Sequence, residues 1–211
     1  MTADPRTVAS ARALADPDPW VRRGAAVDLA GIGADLHRGP GHGPDDTGCR
    51  FVVEQLAARI AAEPDPTALH AVLKSLTAIG CGQAVAALLP YLRGESAAMR
   101  TAVVDALSQI EATELVIEDL LADDDADVRV RAVTLLGQMP TRSGVGWLAT
   151  LISADADPRV VGSAVGELMA RDDVQPASKT DLCGQASQRF PRDPYLKFLL
   201  HTASTNQEAS S

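Results

Sequence analysis

The side chains best suited to chemistry stand close together near the start of the chain. His37, His42, Asp45, Asp46 and Cys49 fall within thirteen residues, and imidazole, carboxylate and thiolate are all zinc ligands. Their spacing, H-x4-H-x6-C, matches no structural zinc motif, so a hydrophilic loop with incidental ligands is the better reading, and neither metal nor cofactor is expected. Covalent catalysis needs a nucleophile beside a base. The chain has no G-x-S-x-G elbow, no P-loop and no G-x-G-x-x-G following a strand. Gly31-Ile32-Gly33 reads as the C-cap of a helix. No catalytic residue is assigned, and a non-catalytic protein is expected.

Composition bounds the remaining classes. A chain of 211 residues with 46% hydrophobic side chains buries a sizeable core without staples. Only 3% are aromatic, so the interior is filled by Ala, Val, Leu and Ile, which favours closely packed helices. A net charge of −9 opposes the phosphate term that drives nucleic-acid binding and points to a protein partner with a basic surface. Cys49, Cys81 and Cys183 are odd in number and fit no disulfide framework, which suits a reducing compartment. With no secretory n- and h-region and no long apolar run, the expectation is a soluble, cytoplasmic, bacterial protein away from membranes.

What positions these residues is an internal repeat. Helix-start signals stand at Asp18, Asp65, Ser96, Asp125 and Asp157, in steps of 47, 31, 29 and 32 residues. The first apolar column after the cap is Val21, Ala68, Met99, Val128 and Val160. Four residues on come Ala25, Val72, Val103, Ala132 and Ala164, and four further come Leu29, Leu76, Leu107, Leu136 and Leu168. Spacing i, i+4, i+8 is one helix face. An adjoining column, Ala26, Leu73, Val104, Val133 and Val165, widens it into a stripe that touches two neighbours. Asp at the head caps free N–H groups, and Pro19, Pro66 and Pro158 sit where a missing N–H costs nothing.

A shorter apolar segment precedes each of these helices, at 7–15, 51–62, 83–92, 114–122 and 145–153. Paired helices at a fixed period predict an all-α fold, an α-solenoid of about five helix pairs. The array is placed at 1–171, interrupted by an irregular Gly- and Pro-rich loop at 34–49. Asp193-Pro194-Tyr195-Leu196 repeats the start signal, so 172–203 is expected to be a degenerate capping pair and 204–211 a polar tail.

The D-x-x-V-R-x-x-A-x-x-x-L pattern at Asp18, Val21, Arg22, Ala25 and Leu29, and again at Asp125, Val128, Arg129, Ala132 and Leu136, resembles HEAT-like repeats of the kind found in phycocyanobilin lyase subunits and bacterial scaffold proteins. Leu69 and Val161 replace the arginine, and Ser96 replaces the aspartate. Arg–Asp pairs in this pattern are expected to be exposed and worth about 0–1 kcal/mol each. HEAT-like hydroxylases carry His-Glu pairs that hold two irons, and this chain contains no His-Glu dipeptide. HEAT-like DNA glycosylases use a basic face with aromatics, against the acidic charge seen here. The resemblance implies a scaffold, and more distantly a subunit of a bilin-lyase-like, tetrapyrrole-attaching enzyme; an inhibitor or immunity protein is a further alternative.

The candidate working surface is the row left free by the packing columns, expected on the concave side formed by the second helices. It comprises Arg23, His70, Thr101, Val130 and Gly162, with Val27, Lys74, Asp105, Thr134 and Gly166 one turn on. Varied residues in register suit recognition of a peptide or a partner helix. Trp20 stands beside the row as a candidate interface edge, and Trp147, inside an apolar stretch, is expected in the core. A scaffold, adaptor or chaperone-like subunit follows.

Overall fold

The computed structural model describes residues 4–39, 47–139 and 144–199. All regular structure among them is helical. The chain divides into two compact units, Met1–Thr113 and Glu114–Ser211.

Six α-helices are described in the first unit: α1 (Pro5–Ala13), α2 (Pro19–Arg38), α3 (Thr47–Ala62), α4 (Pro66–Ile79), α5 (Gly82–Leu88), which continues as a 3-10 turn at Leu89–Arg93, and α6 (Ala97–Ser108). They form two layers. Helices α1, α3 and α5 lie side by side in one, α2, α4 and α6 in the other, and each helix also packs on the next in sequence. In the second unit, α7 (Ile117–Leu121), α8 (Ala126–Gln138), α9 (Gly144–Ala154), α10 (Pro158–Ala170) and α11 (Pro176–Arg189) repeat the arrangement, with α8 beside α10 and α9 beside α11. Residues 194–199 are helical and complete the pair begun by α11.

The helix starts stand where the repeat puts them, for the reason the repeat suggests. Carboxylates of Asp18, Asp65, Asp125 and Asp157 accept from the backbone N–H groups of Trp20, Thr67, Asp127 and Arg159 at 2.8–2.9 Å. The Ser96 hydroxyl accepts from Met99 at 3.2 Å, and Asp193 serves Leu196 in the same way at 2.9 Å. Each cap satisfies a donor that the first helical turn leaves unpaired. At the other end of α4, Gly80 adopts φ +72°, a left-handed conformation suited to glycine, and its N–H donates to the Leu76 carbonyl.

All five leucines of the third column are fully buried, and the second and adjoining columns are buried throughout. In the first column Ala68, Val128 and Val160 are buried as expected, whereas Met99 is half-buried and Val21 is exposed. Close approach between α2 and α4 is set by small residues. Ser75 donates from its buried hydroxyl both to the Ala71 carbonyl and, across the helix pair, to the Ala26 carbonyl at 2.8 Å.

Two expectations are corrected. Gly31-Ile32-Gly33 does not end α2, which runs on to Arg38, where the guanidinium donates to the Ala78 carbonyl in the last turn of α4. Gly33 is a packing residue: a methyl group there would meet Ile79 side-chain atoms at 2.7 and 2.8 Å. The 34–49 stretch is accordingly helical at 34–38 and 47–49, while 40–46 lie outside the described residues.

Gly24 and Gly33 make a paired test, since a methyl group at Gly24 would meet nothing within 4 Å. Urea unfolding should show Gly33→Ala destabilised by about 1–3 kcal/mol through overpacking. Gly24→Ala should gain about 0.5–1 kcal/mol from helix propensity alone.

Candidate functional site

A buried ion cluster holds the two helix starts that carry the candidate site. Arg22, in the first turn of α2, donates from Nη1 to the carbonyls of Asp16 and Pro17, closing the loop that precedes its own helix. Its Nε and Nη2 grip the two oxygens of Glu63 at 2.8 and 2.6 Å. Glu63 also accepts from Arg59 Nε at 2.8 Å and from the backbone N–H of Asp65 at 3.0 Å. Four donors therefore satisfy a carboxylate whose side chain is fully buried. The Arg22 guanidinium is the largest influence on it, aided by Arg59 and the Asp65 N–H against the cost of burial, and the carboxyl is held down at about 2.

The second unit repeats the device. Arg129 donates from Nη1 to the Asp123 and Asp124 carbonyls and from Nε and Nη2 to the Asp155 carboxylate at 2.7 and 3.0 Å. Arg100 closes its own loop through the Gly94 and Glu95 carbonyls. These arginines were expected to make weak exposed pairs; Arg22 with Glu63 is instead a buried clamp that joins one repeat to the next. The carboxylate partner lies two residues before the following cap, where Asp16, Glu63, Asp123 and Asp155 each accept the backbone N–H of the cap itself. That position is the signal sequence reasoning missed. Where the arginine is replaced, at Leu69 and Val161, the matching position in the next repeat is Gly94 and Pro191, and no carboxylate waits there.

Above the clamp lies a shallow cleft of about 70 Å³ lined by Pro19, Trp20, Arg23, Asp65 and Thr67. Trp20 is 68% exposed, and the Arg23 guanidinium carbon stands 5.3 Å from its ring centroid, a cation–π contact on one face. Glu63 fixes Asp65, Asp65 caps α4, and Arg22 holds the start of α2, so the clamp sets the geometry of both walls.

From the cleft, the expected row runs over the first unit as an exposed surface. Arg23 and Val27 on α2, His70 and Lys74 on α4, and Thr101 and Asp105 on α6 are all exposed, and these helices lie side by side. Lys74 Nζ reaches across to Gln109 Oε1 at 3.0 Å. In the second unit the row is less open. Val130 and Thr134 are half-buried, and Gly162 is buried against the Tyr195 ring. Trp147 is not a core residue: it is half-buried, and its indole N–H donates to Glu118 Oε1 at 3.0 Å, the partner a partly buried indole requires. Of the zinc-ligand residue types near the start of the chain, His37 is half-buried on α2 and Cys49 is buried beside Cys81, while His42, Asp45 and Asp46 lie outside the described residues. Among the described residues no three His, Cys, Asp or Glu side chains gather to hold a metal ion.

Residues 113–189 match the family model of HEAT repeats. An engineered protein, solved as a crystal structure by the Northeast Structural Genomics Consortium, aligns over 96% of this chain and 96% of its own, at 19% identity and a TM-score of 0.41. No curated protein matches the chain. The helix pairs define the class, an all-α repeat fold of the α-solenoid type, with three pairs in the first unit and two plus a capping pair in the second, and the similarity to HEAT repeats covers α7 to α11 of the second unit. No described helix is long and apolar enough to cross a membrane.

The Glu63 clamp carries a pH signature. Unfolded, Glu63 titrates near 4.5, so the pairing stabilises fully above that value and is lost as pH falls from about 4.5 through 2. In chemical denaturation, the stability gap between the wild type and Glu63→Gln should be widest above pH 5 and close toward pH 2. A gap independent of pH would contradict the clamp.

Proposed function

We propose that this repeat scaffold is a non-catalytic adaptor that holds a partner protein or peptide on the exposed face of the second helices α2, α4 and α6, the side expected to be concave. The observation that carries this reading is Trp20: a large aromatic, rare in this chain, left 68% exposed at the edge of a cleft and in line with the exposed row Arg23, Val27, His70, Lys74, Thr101 and Asp105. Aromatic and arginine side chains are the usual anchors of protein interfaces. Flanking columns are consumed by packing, whereas these positions differ from repeat to repeat, which is how a solenoid acquires a particular partner on a common frame.

The net charge of −9 supports a partner with a basic surface, which governs long-range approach. Within the row, the cations Arg23 and Lys74 stand on α2 and α4 and the anion Asp105 on α6, so docking itself calls for carboxylates on the partner opposite α2 and α4. The partner is therefore expected to be basic overall with a local acidic segment.

Affinity purification from the source cells, followed by mass spectrometry, identifies the bound protein. Trp20→Ala should weaken its binding at least tenfold, a loss of about 1.4 kcal/mol or more. Combined reversal at Arg23, Lys74 and Asp105 should abolish it. Glu54→Lys, on the exposed side of α3, should leave capture unchanged. Undiminished capture by the triple variant would overturn the assignment of this face.

A further inference from the structure

The thiols of Cys49 and Cys81 lie side by side, Sγ to Sγ 3.8 Å, both unoxidised and each only 2% exposed. Their 32-residue separation is one repeat period. It places Cys49 in the first turn of α3 and Cys81 at the cap of α5, and these two helices pack together in the same layer. We infer that the pair is a redox modification site: a dithiol that hydrogen peroxide converts into an intramolecular disulfide, covalently joining α3 to the start of α5. This inference stands independently of the partner-binding reading.

The geometry favours it in two respects. First, a disulfide needs the sulfurs at about 2.05 Å, so they must close by a little under 2 Å. Cys81 sits between Gly80, at φ +72°, and Gly82, where even a methyl group would meet nothing within 4 Å. Its backbone is the segment best able to make that movement, and both thiols stand at helix starts, where local opening admits a small oxidant. Second, the pair resolves its own intermediate. One thiolate attacks a peroxide oxygen, the O–O bond breaks, and the cysteine becomes a sulfenic acid as hydroxide leaves and takes up a proton. The neighbouring thiolate then attacks that sulfur, the S–S bond forms, and the sulfenic oxygen departs as water. Two thiols and one peroxide yield one disulfide and two waters. Cys183 has no such neighbour: its Sγ lies 3.8 Å from the Met169 thioether, which cannot close a disulfide.

The consequence is mechanical. The bond would enclose the whole of α4, and with it His70 and Lys74, in a covalent loop between α3 and α5. Closing a loop of that length in the unfolded state is expected to raise the unfolding midpoint by roughly 10 °C.

The test uses the full chain, treated natively with hydrogen peroxide, then denatured, capped with N-ethylmaleimide and weighed. The expected product carries one adduct instead of three, is lighter by two hydrogens before capping, yields a peptide linking Cys49 to Cys81, and reverts with dithiothreitol. Cys49→Ser and Cys81→Ser should each lose the cross-linked product, and the wild-type mass measurement stands whether or not these variants fold. Three adducts after oxidation, a disulfide containing Cys183, or sulfinic acid in place of the cross-link would each overturn the inference.

Discussion

The structure depends on one device more than any other: an arginine in the first turn of a second helix that ties its own loop carbonyls to a carboxylate in the following repeat. Arg22 with Glu63 and Arg129 with Asp155 are its two complete forms. Apolar stripes specify that helices pack, but a stripe of Ala, Val and Leu tolerates sliding by a turn. A bidentate guanidinium–carboxylate pair, satisfied at every lone pair and shielded from water, has one geometry. It therefore fixes the register in which one helix pair meets the next, and the carboxylate that receives it simultaneously holds the backbone of the next cap.

Close approach is the complementary constraint. Where α2 meets α4, Gly33 faces the Ile79 side chain and the Ser75 hydroxyl spans the gap to the Ala26 carbonyl. Small side chains leave little lateral freedom, so once the clamp sets the register the exposed positions are set too. Trp20, Arg23 and Val27 on one helix then align with His70 and Lys74 on its neighbour, and the binding face is a by-product of a frame whose residues are almost all committed elsewhere.

Much of this frame was legible beforehand, because it is local. The five second helices, their caps and the buried Leu29, Leu76, Leu107, Leu136 and Leu168 follow from a period of about thirty and the 3.6-residue turn, which need no knowledge of distant contacts. Local rules failed where a distant neighbour decided. Gly31 and Gly33 looked like a helix end, yet the Ile79 side chain uses the missing Cβ of Gly33, and the Ala78 carbonyl gives Arg38 a reason to prolong the helix. Trp147 looked apolar in context and found its indole partner on another helix.

The sequence by itself determined the class of fold, the start of each second helix and the burial of its leucine column and of the two columns beside it, since capping and amphipathic periodicity act within a dozen residues. Only the tertiary structure decided that Arg22 is buried and not exposed, that Cys49 meets Cys81, and that the outward row is open in the first unit but half covered in the second. Each of these depends on which side chains from other repeats arrive at the same point. Periodicity determines the face a residue occupies, while the identity of the neighbour across the gap is settled only when the helices pack.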